Sequence, residues 1–213
     1  MSAEETPEAD RAARMREQRR AAIIAAARQT FAERGYHNAS INDVIERAKI
    51  ARGTFYLYFE GKRAVFESLL AESLAELRAR IRRIDLGPDA RPPEAQLRES
   101  LVRVLGHVLE NRDFTRLLLT LWLNPDVEVA DTVDAFYDHV TALIAASLGH
   151  GLRLGLVRPC DPQLVAAALL GTIRGILGYL IETPDADIER VADEIIGLSL
   201  RGIGVPGRWT ASG

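Results

Sequence analysis

The sequence predicts an all-α fold of about nine helices, with an N-terminal three-helix unit followed by a larger helical domain. Three observations predict it. Apolar residues recur at three- and four-residue spacing along most of the chain, with no period-two alternation of note. Ala, Leu and Arg dominate and only 6% of residues are aromatic, a composition that favours helix. Proline and glycine gather at a few breaks, the clearest being DLGPDARPP from Asp85 to Pro93.

Residues 1–15 are expected to form an N-terminal tail, with the first helix starting near Ala12 or Arg16 and ending at Arg34. Ile23, Ala27 and Phe31 share one face of it, and Gly35 is placed to stop it. A second helix starts after Ser40, because Ser40 and Asp43 form an S-x-x-D capping box and Ile41, Val44, Ile45 and Ala48 make an apolar stripe. After a turn at Lys49-Ile50, the stretch from Ala51 to about Leu57 has room for only two helical turns. A helix that short does not hold alone in water, so Ile50, Phe55 and Phe59 are expected to brace it. A long fourth helix begins near Lys62 and runs to about Ile81, with arginines at the end where the helix dipole is negative. Five more helical segments follow, roughly 94–111, 113–123, 126–154, 161–182 and 185–203, separated by Asn124-Pro125-Asp126, Pro159-Cys160-Asp161-Pro162 and Thr183-Pro184-Asp185. Residues 204–213 read as a frayed tail. The division is therefore 16–62 and 63–203, between two tails.

Charge is unevenly spread along the chain. Its net value is −3, but residues 11–63 hold 12 Lys+Arg against 5 Asp+Glu, while residues 64–213 hold 15 against 21. Positive charge thus collects on the three-helix unit, as expected if that unit meets phosphate. The short third helix turns Arg52, Gly53, Thr54, Tyr56 and Tyr58 outward, a face suited to the major groove of DNA. The Arg52 fork matches guanine O6 and N7, whereas a solvated arginine is the plainer account. Gly53 lets backbone approach closely. Ser40 caps a helix whose N-terminus is itself a phosphate site. Lys62 opens a helix, where its charge opposes the dipole unless a phosphate relieves it. His37 and Asn38 are weaker phosphate candidates. The arginines from Arg11 to Arg20 suit either a minor-groove arm or a solvated helix face.

The segments AAIIAAARQTFAERGY, NASINDVIERA, RGTFYLYFEGK and AVFESLL, in this order over roughly residues 16 to 70, resemble the tetracycline-repressor (TetR) family. The resemblance implies a helix-turn-helix on double-stranded DNA, a helical regulatory domain and a homodimer. Thr54, Tyr56, Tyr58 and Lys62 match family positions that hold phosphates or touch thymine methyls. Lys49 stands where glycine is usual and offers a phosphate contact instead. Ala51 stands where a serine or threonine often caps the third helix. In the family the last two long helices pair with their copies. Here Ala168, Gly171, Gly175 and Gly178 on one helix, with Ile188, Val191 and Ile195 on the next, offer that surface; tight packing of the glycines against segment 126–154 is the alternative.

An unidentified small-molecule effector is expected in the C-terminal domain. Phe114, Leu118, Trp122, Tyr137 and Ile173 are candidate apolar lining, and His107, His139 and Arg174 are candidate polar groups. An arginine in so apolar a helix needs a partner, and Glu110 or another internal acid is favoured over a ligand anion. The chain carries no G-x-S-x-G elbow, phosphate loop, H-E-x-x-H or cysteine-rich metal set, so an enzyme, a cofactor and a metal are not expected. No uninterrupted apolar run approaches bilayer length, the N-terminus lacks a signal-peptide core, and Cys160 is single, so a cytoplasmic protein without a membrane partner is expected. Together these readings describe a dimeric, ligand-responsive regulator, with a helical ligand-binding or adaptor protein as the competing reading.

Overall fold

In a computed structural model, residues 7–203 and 205 are described, and they form nine α-helices with no strand. Residues 1–6, 204 and 206–213, which hold most of the two expected tails, lie outside the described residues. Helix α1 (Pro7–Asn38) starts earlier than expected, so residues 7–15 are helical. Its regular part stops where the sequence places the stop: Gly35, at φ 75° and ψ 161°, breaks the helix, and Tyr36–Asn38 follow as a further short turn.

Helices α2 (Ile41–Ala48) and α3 (Arg52–Tyr56) stand close to their expected bounds, as does α4 (Lys62–Arg80). The C-terminal half comprises α5 (Pro93–Glu110), α6 (Arg112–Leu123), α7 (Ala130–Arg153), α8 (Pro162–Glu182) and α9 (Ile188–Ile203). Two of these start later than the periodicity suggests, and an aspartate explains each. Asp126 Oδ1 accepts from the Glu128 N–H at 2.9 Å, and the Asp126 carbonyl accepts from Val129 N–H at 3.0 Å, which folds 126–129 into a turn ahead of α7. Asp187 Oδ1 accepts from Glu189 and Arg190 N–H at 3.0 and 3.2 Å, satisfying the free donors that open α9.

One apolar core crosses the expected domain boundary at 62/63. Ile23, Phe31, Val44, Phe55, Phe66 and Leu69 from α1–α4 are continuous with Phe114, Leu117, Leu121, Val133 and Phe136 from α6 and α7. Helix α4 therefore belongs to both halves, and α1 packs directly on α6. A second cluster centres on Leu148, Leu156 and Ala166, and a third on Leu105, Leu180 and Ala192.

The third cluster engages one side of three residues expected at the dimer surface. Ile188, Val191 and Ile195 are half-buried against it, because α9 packs on α5. Arg98 of α5 reinforces that contact, reaching Asp193 at 2.5 Å and Glu189 at 2.9 Å. Helix α8 is the most apolar of the described helices. By length and composition alone it is apolar enough to cross a bilayer, with a mean hydropathy of 1.9, which the sequence reading missed because Arg174 interrupts the run. It packs on α7 and α6 along one side. Its other side is exposed: Leu164, Ala168, Gly171, Gly175 and Tyr179 follow one another at three- to four-residue steps.

Candidate nucleic-acid interface

The turn between α2 and α3 is built from opposite ends. Ser40 Oγ accepts the Asp43 N–H at 3.2 Å and donates to Asp43 Oδ2 at 2.7 Å, while the Ser40 N–H donates to the same oxygen at 2.8 Å. This is the expected capping box. These bonds, and then Arg34 and Arg47, hold the Asp43 carboxyl below the usual carboxylate range. Arg34 reaches Asp43 at 2.8 Å, and Arg47 grips Glu33 with both arms of its fork, so α2 is tied to α1. At the other end Lys49 sits at φ 53° and ψ 47°, the left-handed conformation that glycine adopts freely. A side chain there costs roughly 1–2 kcal/mol. The turn has the geometry of a glycine turn although the residue is lysine, and the ammonium of that residue is exposed beside α3.

Helix α3 has no side-chain cap, as Ala51 implies, and its first bonds are Thr54 and Phe55 N–H to the Ala51 carbonyl at 2.9 and 3.3 Å. Its hold on the molecule is hydrophobic. Phe55 is fully buried, its ring 5.9 Å from that of Phe59 and edge-on to that of Tyr56 at 5.4 Å. Arg20 of α1 lies 5.6 Å over the Phe59 ring. Outward stand Arg52, Gly53 and Tyr56, with Thr54 half-buried and Tyr58 packed inward as a hinge ring. The Arg52 guanidinium lies 5.9 Å over Tyr56, and its Nη1 donates weakly to Asn42 Oδ1 at 3.4 Å. Asn42, exposed at the start of α2, is a neighbour of the reading face that the sequence reading missed. Its polar position opposite the Ile41, Val44 and Ile45 stripe was the available signal. An outward face carrying hydrogen-bond donors is what base-edge recognition needs.

Lys62 finds partners within the chain. Its ammonium donates to the Tyr36 and His37 carbonyls at 3.1 and 3.4 Å, lies 4.3 Å over the Tyr36 ring and stands 3.8 Å from Glu128. The dipole conflict at the start of α4 is thus relieved by carbonyls at the end of α1, with no phosphate needed. His37 likewise meets Asp126 at 3.4 Å, and Arg63 donates to the Glu128 carbonyl at 3.0 Å. The turn before α7 therefore docks on the three-helix unit. Burial, with Glu128 and Asp126 beside it, pushes the Tyr36 hydroxyl up to about 12.

Among the described residues, the expected effector residues fall into separate groups. His107 and Phe114 line a charged cleft of about 690 Å3 between α1, α4, α5 and α6, together with Arg28, Glu72, Glu76 and Glu110. Arg28 reaches Glu76 at 3.3 Å and Asn111 at 3.0 Å and lies over Phe114. Leu118 is core, and His139 is exposed, its Nδ1 against the Ala135 carbonyl at 2.6 Å, so neither faces that cleft. Trp122, Tyr137 and Arg174 do come together, with Ile173 adjacent on α8. Glu110, the expected partner of Arg174, instead lines the charged cleft.

His107 gives a pH prediction. It is buried, with Nε2 at 3.2 Å from Glu76 and Nδ1 at 3.4 Å from the Asn111 amide, an arrangement the neutral ring with its proton on Nε2 satisfies. Burial, then Arg80, holds its pKa below the ordinary imidazole value, against the pull of Glu76 and Glu110. The unfolded chain then takes the proton more readily, so this contribution to stability is complete above about pH 6.5 and is lost as pH falls through the folded-state value. His107→Gln is expected to flatten the fall in unfolding free energy as pH drops below about 6.5, measured by denaturant titration. Parallel profiles for variant and wild type would contradict it.

Residues 23–69 match the family model described as bacterial regulatory proteins, tetR family, and residues 90–203 match the tetracyclin repressor-like C-terminal domain. The uncharacterized HTH-type transcriptional regulator YhgD of Bacillus subtilis is 25% identical over 179 residues, covering 82% of this chain and 91% of its own. Among solved structures, the fatty acid degradation regulator FadR from Bacillus halodurans superposes with a TM-score of 0.73 at 21% identity, over 94% of this chain and 98% of that one. The triclosan complex of SmeT, repressor of the Stenotrophomonas maltophilia multidrug efflux pump SmeDEF, gives 0.69 at 20% identity, over 91% and 95%.

Proposed function

The chain belongs to the tetR family of bacterial transcriptional regulators, and from that membership we propose a dimeric repressor that binds a near-palindromic operator and is released by a small molecule in its C-terminal domain. The observation that carries the reading is the face of α3. Phe55 and Phe59 anchor a helix of five residues, and Arg52, Gly53 and Tyr56 are left outward on the basic part of the chain. Two copies related by a two-fold axis place two such helices in successive major grooves, so half-sites lie one helical turn apart. Lys49 and the Ser40-capped end of α2 hold phosphate and set the register; Arg52 reads bases.

The exposed stripe of α8 supports the dimer. Among the described residues, no atom beyond the helix's own backbone lies within 4 Å of where a Cβ would stand at Gly171, Gly175 or Gly178, so packing within one copy does not account for them. A second copy approaching along that stripe does. That SmeT was solved with triclosan supports a small-molecule effector. Release requires the effector to bind the DNA-incompetent arrangement more tightly than the competent one.

Arg52→Ala is expected to cost about 1–3 kcal/mol of discrimination per copy between operator and random duplex while leaving random-duplex affinity nearly unchanged. Fluorescence anisotropy over a salt titration reads both quantities. An equal loss on every sequence would make Arg52 a phosphate contact and overturn its assignment.

A further inference from the structure

Trp122 of α6 and Tyr137 of α7 stack with ring centroids 4.0 Å apart and planes 28° from parallel, and Arg174 of α8 lies 4.3 Å from the Trp122 ring centroid. Three helices thus contribute one side chain each to a layered cation–aromatic stack. Among the described residues, Arg174 has neither a carboxylate partner nor a hydrogen-bond acceptor; it stands close enough to Tyr137 to act on that hydroxyl, and it contacts the indole face. That contact uses the face of the guanidinium and leaves the in-plane N–H donors unspent. An arginine ordered by stacking, half-buried in the most apolar helix and lacking an acid, is poised for a planar two-oxygen anion. The surroundings are apolar: Phe136 is buried beside Tyr137 at 5.4 Å, and burial raises the Tyr137 hydroxyl well above its ordinary value, so that hydroxyl stays a neutral donor.

We propose that this stack is the effector's anchor and that the effector is an organic carboxylate, its anion taken by the Arg174 fork and its apolar body by the surface around Trp122 and Tyr137. The inference rests on the reading of the C-terminal domain as ligand-responsive, and goes beyond it by naming the chemistry of the ligand and the residue that selects it. The rival occupant of the fork is an acid from a second copy, because Arg174 lies between Gly171 and Gly178 on α8.

The test is a thermal-shift and fluorescence panel on the full-length dimer carrying Trp209→Phe, so that emission reports Trp122. The probes are aliphatic and aryl carboxylic acids, each paired with its primary amide. The expected result is that at least one acid binds saturably and shifts Trp122 emission, binds at least tenfold more tightly than its amide, and loses that preference in Arg174→Gln. Arg174→Lys, which keeps the charge without the fork, should recover only part of it. No acid distinguished from its amide across the panel would overturn the proposal. So would a dimer that dissociates at higher concentration in Arg174→Gln than in wild type, since the fork would then belong to the subunit contact. Release of DNA is scored separately. Release by neutral compounds alone sinks the carboxylate and keeps the regulator, whereas Arg174-dependent acid binding without release keeps the site and sinks the ligand-release reading.

Discussion

Replacing Phe55 by alanine is expected to destabilise the protein by about 3–5 kcal/mol, the range for truncating a fully buried phenylalanine. The ring is the main anchor of α3, which has five residues, no side-chain cap and few internal bonds. Its loss opens a cavity in a core that continues from α1 through α4 into α6 and α7, so the effect should reach the regulatory half. Denaturant unfolding reads the loss, and hydrogen exchange at the amides of residues 52–59 should show α3 opening first. Tyr56→Ala is the control. That side chain is 45% exposed and should cost little stability while still weakening DNA binding. Equal stability for wild type and Phe55→Ala would show that α3 is held by something other than this ring.

The second large effect is expected at Gly175. A glycine inside a helix costs about 1 kcal/mol relative to alanine, and α8 bears that cost three times along one face. Among the described residues nothing beyond the helix's own backbone stands within 4 Å of a Cβ at position 175, so Gly175→Leu should keep the single copy helical, with an unfolding midpoint at or above that of wild type. Between two copies the leucine would stand where backbones meet. The expected outcome is a folded single subunit by sedimentation, with operator affinity lowered by roughly 10²–10⁴, the advantage that linking two reading heads supplies. A dimer that persists with undiminished operator affinity would move the interface elsewhere.

Local signals in the sequence were the ones that fixed structure reliably. The Ser40–Asp43 capping box, the stop at Gly35 and the turn at Lys49 are each decided by atoms a few residues apart, and each stands where the sequence placed it. So does the inward turn of Phe55 and Phe59. What the sequence left open was which neighbour covers a given surface. Periodicity marked Ile188, Val191 and Ile195 as apolar but not that α5 would cover them. Lys62 read as a cation without a partner because the Tyr36 and His37 carbonyls are 26 and 25 residues away in sequence. His107 and Trp122 belong to neighbouring helices, yet one faces a cleft beside α1 and the other meets α7 and α8. Placement of that kind is set by helix rotation, which a single sequence leaves unstated.

The position of Glu128 and Asp126 bears on function as well as fold. These acids, on the turn before α7, meet Lys62 and His37 beside the three-helix unit, only a few residues from Trp122. Trp122 is thus joined by a short stretch of chain to a turn that docks on the three-helix unit.

The central claim is that two copies offer paired α3 helices to base edges. Selection of bound sequences from a random duplex pool by the purified protein tests it most directly. The account predicts enrichment of an inverted repeat with half-site centres one helical turn, or a whole multiple of one, apart, lost when the same selection is run with Arg52→Ala. Recovery of a single unpaired half-site, or of no preferred sequence under physiological salt, would contradict it.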